Sequence, residues 1–470
     1  MIKVLNLKEI KLDKKILNKL IAILGKENVL FEKEDLYCYS LDVCDLEGKI
    51  YFPDAVVLPS TTEEVSQILK IAYENNIPIT PRASGTNHVG GCVPLNAGIV
   101  VHLSKMDKII EIDKNNLKCR VQAGVTVGYL QEEAEKCGLF YPPDPSNLKV
   151  SAIGGSIALS SSGPRCFKYG GTKDYVLGLK VVLANGEIIN TGSNTAKNVT
   201  GYNLTQLFVG SEGTLGIVTE ATLKLIIKPE TQKVFLIYFN SIDEAANTVT
   251  EIISAGIQAS TLDLIDKYTI NTIETFYPSG LLTDKEAVLI VEIDGFRETI
   301  ERQSLQINDL ARKNGASDVV SAENEEETQR IWTARRSAFA AVSKLKPNVI
   351  TEDTVVPRDK IPEMVKAVRK IADKYSLTAC VMGHAGDGNI HPNFAVDFRD
   401  KDEMNRLEKA VDELMEVTLK LGGTLSGEHG IGIKKQKYLK VALGDARISY
   451  MKEIKRVFDP KNLMNPGKVI

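Results

Sequence analysis

The sequence predicts an α+β protein built from two folded units. Between about residues 54 and 225, short apolar strands alternate with amphipathic helices through glycine-rich connections. From about residue 230 a second series of strands and helices carries the pattern of a ferredoxin-like sheet with antiparallel partners. The length, 470 residues, suits two or three domains at about 100–200 residues each.

The elements follow in order. The stretch over residues 1–20 spaces Ile and Leu among lysines and reads as a surface helix. Residues 54–58 read as a strand. Ser60-Thr-Thr-Glu63 has the spacing of a capping box and opens a helix with Val65, Ile68, Leu69 and Ala72 on one face. Strands follow at 77–80 and 98–103, and the first series ends in a strand over 216–225. In the second series, residues 234–239 form a strand, 242–255 a helix, 259–265 a strand, 287–293 a strand and 297–314 a long helix. Helix 361–375 leads to a strand at 377–382, and 403–421 is helical.

Composition excludes several classes. There are 58 basic and 61 acidic residues, a net charge of -3, and no basic tract, which leaves nucleic-acid binding without an electrostatic basis. No apolar run reaches the roughly 20 residues that cross a bilayer, and the N-terminus lacks the apolar stretch of a secretory signal. The seven cysteines form no CxxC pair, so they read as reduced thiols rather than ligands of an iron–sulfur cluster. A cytoplasmic protein is expected.

Three segments are dense in glycine: Pro81 to Gly91, Pro142 to Gly163, and Phe208 to Gly216. Glycine lets backbone N–H groups approach phosphate oxygens, and one large phosphate-bearing ligand touching all three loops would explain them together. Taken singly, each is also an ordinary tight turn. Neither GxGxxG after the first strand nor GxxxxGK[ST] is present, which argues against Rossmann and P-loop folds.

Only five histidines occur, and three lie in two short segments: His384 and His391 in GHAGDGNIH, and His429 in SGEHGIG. The glycines between His384 and His391 permit a sharp reversal that returns one beside the other. With Glu428 as a third ligand, these groups suit zinc, manganese or ferrous iron. By themselves, two histidines seven residues apart read as structural as readily as ligating.

The run YPPDPSNLKVSAIGGSIALSSSGPRCFKYGGTKDYVLGLKVVLANGEI, with PRASGTNHVGG, FVGSEGTLGIVTEATLKL and FDPKNLMNPGKV, resembles the vanillyl-alcohol oxidase superfamily. It is most similar to the branch holding the glycolate oxidase D subunit, D-lactate dehydrogenases and D-2-hydroxyglutarate dehydrogenase. The resemblance covers nearly the whole chain. It implies an FAD-binding domain over 1–228, a substrate-binding cap over 229–424 and a segment over 425–470 that returns to the FAD domain.

For the cofactor, the resemblance implies that Pro81, Arg82, Ser84, Gly85, Thr86, Asn87, Gly90 and Gly91 wrap the FAD pyrophosphate. Pro143, Asp144, Ser146, Gly154, Gly155, Ser160 and Gly163 would line the dinucleotide, Ile217 and Val218 would lie near adenine or ribose, and Asn465 near the flavin ring. Some relatives attach FAD through a histidine; the matching position is Thr86, which implies noncovalent FAD. His88 then reads as loop scaffolding.

For the chemistry, it implies His384, His391 and Glu428 as metal ligands and His429 as the base. A metal bound to the substrate hydroxyl lowers its pKa, and a neutral imidazole takes its proton. The arginine three residues after Trp332 is Arg335, expected on the substrate carboxylate, with Lys344 as a further cation; Arg336 and Lys346 are the alternatives. D-2-hydroxyglutarate enzymes carry a threonine four residues beyond that arginine. Phe339 stands there, which favours D-lactate, with glycolate second, over a dicarboxylate. The expected electron acceptor is a redox partner protein such as electron-transfer flavoprotein. The alternatives are a glycolate oxidase subunit or a noncatalytic FAD electron-relay subunit. Self-association as a homo-oligomer is left open.

Overall fold

The computed structural model describes residues 12–470 apart from 45, 47 and 196. Residues 1–11 of the expected N-terminal helix therefore lie outside the description. The helix described runs Lys14–Leu24, with Asp13 as its cap accepting from the Lys15 N–H at 2.9 Å.

The chain divides into two units. One comprises residues 1–162, 171–228 and 428–470; the other comprises 163–170 with 229–427. The excursion at 163–170 departs from the sequence expectation, which kept those residues in the first domain. Its anchorage is a set of isolated side-chain contacts: Lys168 pairs with the Asp294 carboxylate, the Tyr169 hydroxyl donates to Asp294 Oδ2 at 2.8 Å, and the Phe167 ring packs against Gly386 with the Arg358 guanidinium 5.2 Å from its centroid. Contacts of this kind leave no hydrophobic period to read.

The first unit holds two main sheets. In the first, strands β1 (Val29–Leu30), β2 (Ala55–Val57), β3 (Ile79–Arg82) and β4 (Ile99–His102) lie in the order β1-β2-β4-β3. Strands β2, β4 and β3 are parallel, and β1 runs against β2. All three residues of β2 are fully buried, as an unbroken apolar run between covered faces requires. Helix Thr62–Glu74 packs Val65, Ile68, Leu69 and Ala72 into this core. Its capping box lies one residue later than expected. Ser60/Glu63 and Thr61/Glu64 share the same spacing, and Glu64 prevails because it also accepts from the Ser60 N–H at 2.7 Å. The C-terminal segment extends the edge: the Ile79 N–H donates to Leu463 O at 2.8 Å, and the Asn465 N–H donates to Ile79 O at 2.7 Å.

The second sheet of this unit is antiparallel. Strands β5 (Ile109–Asp113), β6 (Lys118–Gln122), β7 (Val176–Val182), β8 (Ile188–Gly192) and β9 (Ile217–Lys224) lie in the order β5-β6-β9-β7-β8.

The second unit is built on one antiparallel sheet. Its first four strands are β10 (Thr231–Phe239), β11 (Thr261–Asp266), β12 (Ala287–Gly295) and β13 (Asp318–Ser321). With helices Ile242–Ser254 and Arg297–Lys313 they form a β-α-β-β-α-β series in the order β13-β10-β12-β11, the ferredoxin-like arrangement. Strands β14 (Asn348–Thr351), β15 (Thr378–His384) and β16 (Asn389–Val396) extend the sheet beside β11 in the order β15-β16-β14. Among the described residues, no helix is long and apolar enough to cross a membrane.

Candidate functional site

In the second unit, β15 and β16 form a tight hairpin with Met382 opposite His391 and His384 opposite Asn389. Side chains alternate across a strand, so His384, Met382, Asn389 and His391 share one face. The turn depends on Gly388, whose φ is +78° and where a Cβ would fall 2.0 Å from Val356 O. The reversal read from the glycines brings the two imidazoles together: their ring centroids are 5.2 Å apart, edge to face.

The adjacent strand places Asp263 opposite His384. His384 Nδ1 and Asp263 Oδ1 are 2.7 Å apart, and Arg335 Nε donates to Asp263 Oδ2 at 2.6 Å. Asp263 is fully buried. Burial alone would raise its pKa, but the neighbouring His384 and Arg335 outweigh it and bring the carboxyl down to about 2. With its far nitrogen turned from Asp263, His384 has the orientation a carboxylate gives a metal-binding imidazole.

Asp353, also fully buried, organises the other side of the hairpin. Its Oδ1 accepts from Asn389 Nδ2 at 2.8 Å and lies 3.7 Å from His391 Nδ1. Its Oδ2 accepts from the Ser426 hydroxyl at 2.6 Å and the Gly427 N–H at 2.8 Å. Asp353 thus fixes the chain immediately before Glu428.

Of the two cations expected on a substrate carboxylate, Arg335 joins this cluster. Lys344 instead sets its ammonium 4.2 Å from the Tyr277 ring centroid. Of their alternatives, Lys346 pairs with Glu403 and Arg336 lies 5.8 Å over the Trp332 ring. Trp332 donates to Glu292 Oε2 at 2.8 Å, and burial raises the pKa of Glu292.

In the first unit, the loop after β3 has the donor set a phosphate group needs. Among the described residues, the backbone N–H groups of Ser84, Gly85, Thr86 and Asn87 donate to no protein acceptor. The loop is closed by Asn87 Oδ1, which accepts from the N–H groups of Val89 at 2.9 Å and Gly91 at 2.7 Å. Pro81 and Arg82 end β3 beneath it, and Arg82 Nη1 donates to Leu41 O at 2.9 Å.

The other expected cofactor residues take several positions. Asp144 is buried and Ser146 exposed. Gln131 Nε2 donates to Pro143 O at 3.0 Å. Gly154 and Gly155 lie in the first turn of helix Ile153–Leu159, and Ser160 ends that helix with φ 53°. Ile217 and Val218 begin β9, both buried. Asn465 is buried with its Nδ2 donating to Gly91 O at 2.8 Å and Glu212 O at 2.7 Å, so it ties the first glycine loop to the third. Gly91 is part of that tie, and Gly90, with φ +79°, accepts from the Val93 N–H at 3.3 Å. Gly163 is the exception: it falls in the segment that joins the second unit.

Glu428 and His429 open the C-terminal part of the first unit. His429 stacks on His88, with centroids 4.9 Å apart and planes 26° apart. The sequence reading missed Asp263, Asp353, Glu292 and Glu212. The signal was present, since a carboxylate set among apolar strand residues, as in Thr261-Leu-Asp-Leu-Ile-Asp266, is buried only for a reason.

Known families match both units. Residues 53–192 match the FAD binding domain family, and residues 228–469 match the family described as FAD linked oxidases, C-terminal domain. The glycolate oxidase subunit GlcD of Bacillus subtilis is 48% identical over 456 residues, covering 97% of both chains. The D-lactate dehydrogenase of Anaerostipes hadrus is 35% identical, covering 89% of both. The solved structure of p-cresol methylhydroxylase superposes with a TM-score of 0.82 at 20% identity, covering 97% of both chains. The chain belongs to the FAD-linked oxidases, a family of oxidoreductases with the vanillyl-alcohol oxidase type of FAD-binding fold.

Proposed function

We propose that this protein oxidises a small D-2-hydroxy acid, D-lactate first and glycolate second, and passes the electrons to a protein acceptor. The observation that carries the reading is the buried Arg335–Asp263–His384 chain beside His391. It joins a cation suited to a carboxylate to a pair of imidazoles suited to a metal.

FAD, when bound, supplies the hydride acceptor. The loop from Ser84 to Asn87 would hold its phosphates with backbone N–H groups, and Thr86 makes the attachment noncovalent. Acid precipitation should therefore leave the flavin in solution. A divalent ion, zinc, ferrous iron or manganese, would be held by His384, His391 and Glu428 and would acidify the substrate hydroxyl. His429 accepts the hydroxyl proton. Arg335, held through its Nε by Asp263, directs its guanidinium to the substrate carboxylate. Phe339, one helical turn beyond Arg335 and exposed, offers an apolar ring at that position, which fits a lactate methyl better than a second carboxylate.

Relatives carry both names, glycolate oxidase subunit and D-lactate dehydrogenase. The word subunit in the first supports a partner protein as electron acceptor, with electron-transfer flavoprotein as our choice. Anaerobic mixing with D-lactate, L-lactate, glycolate and D-2-hydroxyglutarate tests the reading. D-lactate should bleach the flavin fastest and glycolate next. A flavin left oxidised by the whole panel would overturn it.

A further inference from the structure

The turn that carries His429 is fastened by a residue from a distant loop. Glu212 lies in the third glycine-rich segment with a left-handed backbone, φ 51°, and is buried. A non-glycine residue in that conformation is strained, and it persists where the surroundings fix it. Here the Glu212 N–H donates to Ala158 O at 2.8 Å, and Glu212 O accepts from Asn465 Nδ2. The side chain is thereby aimed at the segment after His429. Oε1 accepts from the Ile431 N–H at 2.6 Å, and Oε2 accepts from the Gly432 N–H at 2.8 Å.

Other contacts complete the clamp. A Cβ at Gly430 would fall 2.7 Å from Glu212 Oε1, so the turn closes directly on the carboxylate. On its other side, the Ile433 N–H donates to Val89 O at 2.8 Å. Val89 follows His88, whose ring stacks on His429. The segment after His429 is therefore tied to the third glycine loop through Ile431 and Gly432, which donate to Glu212, and to the first through Ile433, which donates to Val89 O.

We infer that Glu212 is a positioning residue for His429, setting the imidazole through the two backbone N–H groups it accepts and through the turn seated against His88. The inference deepens the proposed reaction and rests on His429 being its base. A carboxylate is the side chain that offers two acceptors to two adjacent N–H groups. Glutamine keeps the volume and only one acceptor, and aspartate keeps the charge on a shorter stem.

The test uses the FAD-loaded full chain with Glu212→Gln and Glu212→Asp, and two readouts. The first is amide exchange at Ile431 and Gly432, which needs no substrate. It should rise by roughly tenfold or more in Glu212→Gln, with flavin content unchanged. The second is anaerobic flavin reduction by D-lactate, or by whichever acid of the panel reduces the wild type. Its limiting rate should fall by about tenfold or more, while the half-saturating concentration changes by less than about twofold. If Glu212→Gln does not fold, Glu212→Asp is read in the same way. Unchanged exchange at both amides, or unchanged limiting reduction despite faster exchange, overturns the inference. If no acid reduces the wild-type flavin, the proposed reaction fails, and with it the positioning role, while the exchange result still reports whether Glu212 holds the turn.

Discussion

His384 Nδ1 lies 2.7 Å from Asp263 Oδ1, and the same carboxylate holds Arg335 through its other oxygen at 2.6 Å. One buried aspartate therefore fixes both an imidazole and a guanidinium. An asymmetric substitution exposes this double role. Asp263→Asn should cost about 10–100-fold in metal affinity, since a carboxylate behind a ligating imidazole contributes that much. It should also leave Arg335 as an under-paired buried charge and lower the unfolding temperature. Elemental analysis and thermal unfolding of the purified variant check both effects. Wild-type metal content together with wild-type stability would remove Asp263 from this role.

His429→Asn should retain bound FAD and slow flavin reduction by about 100-fold or more, the span expected on losing a positioned base. Stopped-flow reduction under anaerobic conditions measures it. A rate within a few-fold of wild type would take the proton-accepting role from His429.

Much of this was legible in the sequence because two physical signals were strong. Apolar periodicity marked β2, β10 and β12 and the helices at 62–74 and 361–374, since those elements bury a continuous face. Glycine spacing marked the hairpin reversal at Gly388, because only a residue without Cβ fits beside Val356 O. The excursion at 163–170 was not legible, because it is held by single side-chain contacts with residues far along the chain, Lys168 and Tyr169 with Asp294 and Phe167 with Gly386 and Arg358. The carboxylates behind the histidines were also missed. Asp263 and Asp353 come from strands and turns far along the chain, and their partners emerge only when the sheet is assembled.

Glu212 should also shape the pH dependence of stability. Burial pushes its pKa up to about 7, against the pull of the Ile431 and Gly432 N–H groups. The folded value lies above the unfolded one of 4.5. Its stability contribution is therefore fully present below about pH 4.5 and is lost as pH rises through about 7. Relative to Glu212→Gln, which does not titrate, the wild type should lose unfolding temperature steadily between those limits. Thermal unfolding of both proteins across the range checks this. A constant difference between them would contradict it.

The most direct test of the central claim is anaerobic flavin reduction by D-lactate before and after chelation, with metal content measured at each stage. The metal-loaded protein should be reduced rapidly, the metal-free protein that still holds FAD should not be reduced, and one of zinc, manganese or ferrous iron should restore reduction. Full-rate reduction by protein shown to contain no metal would contradict it.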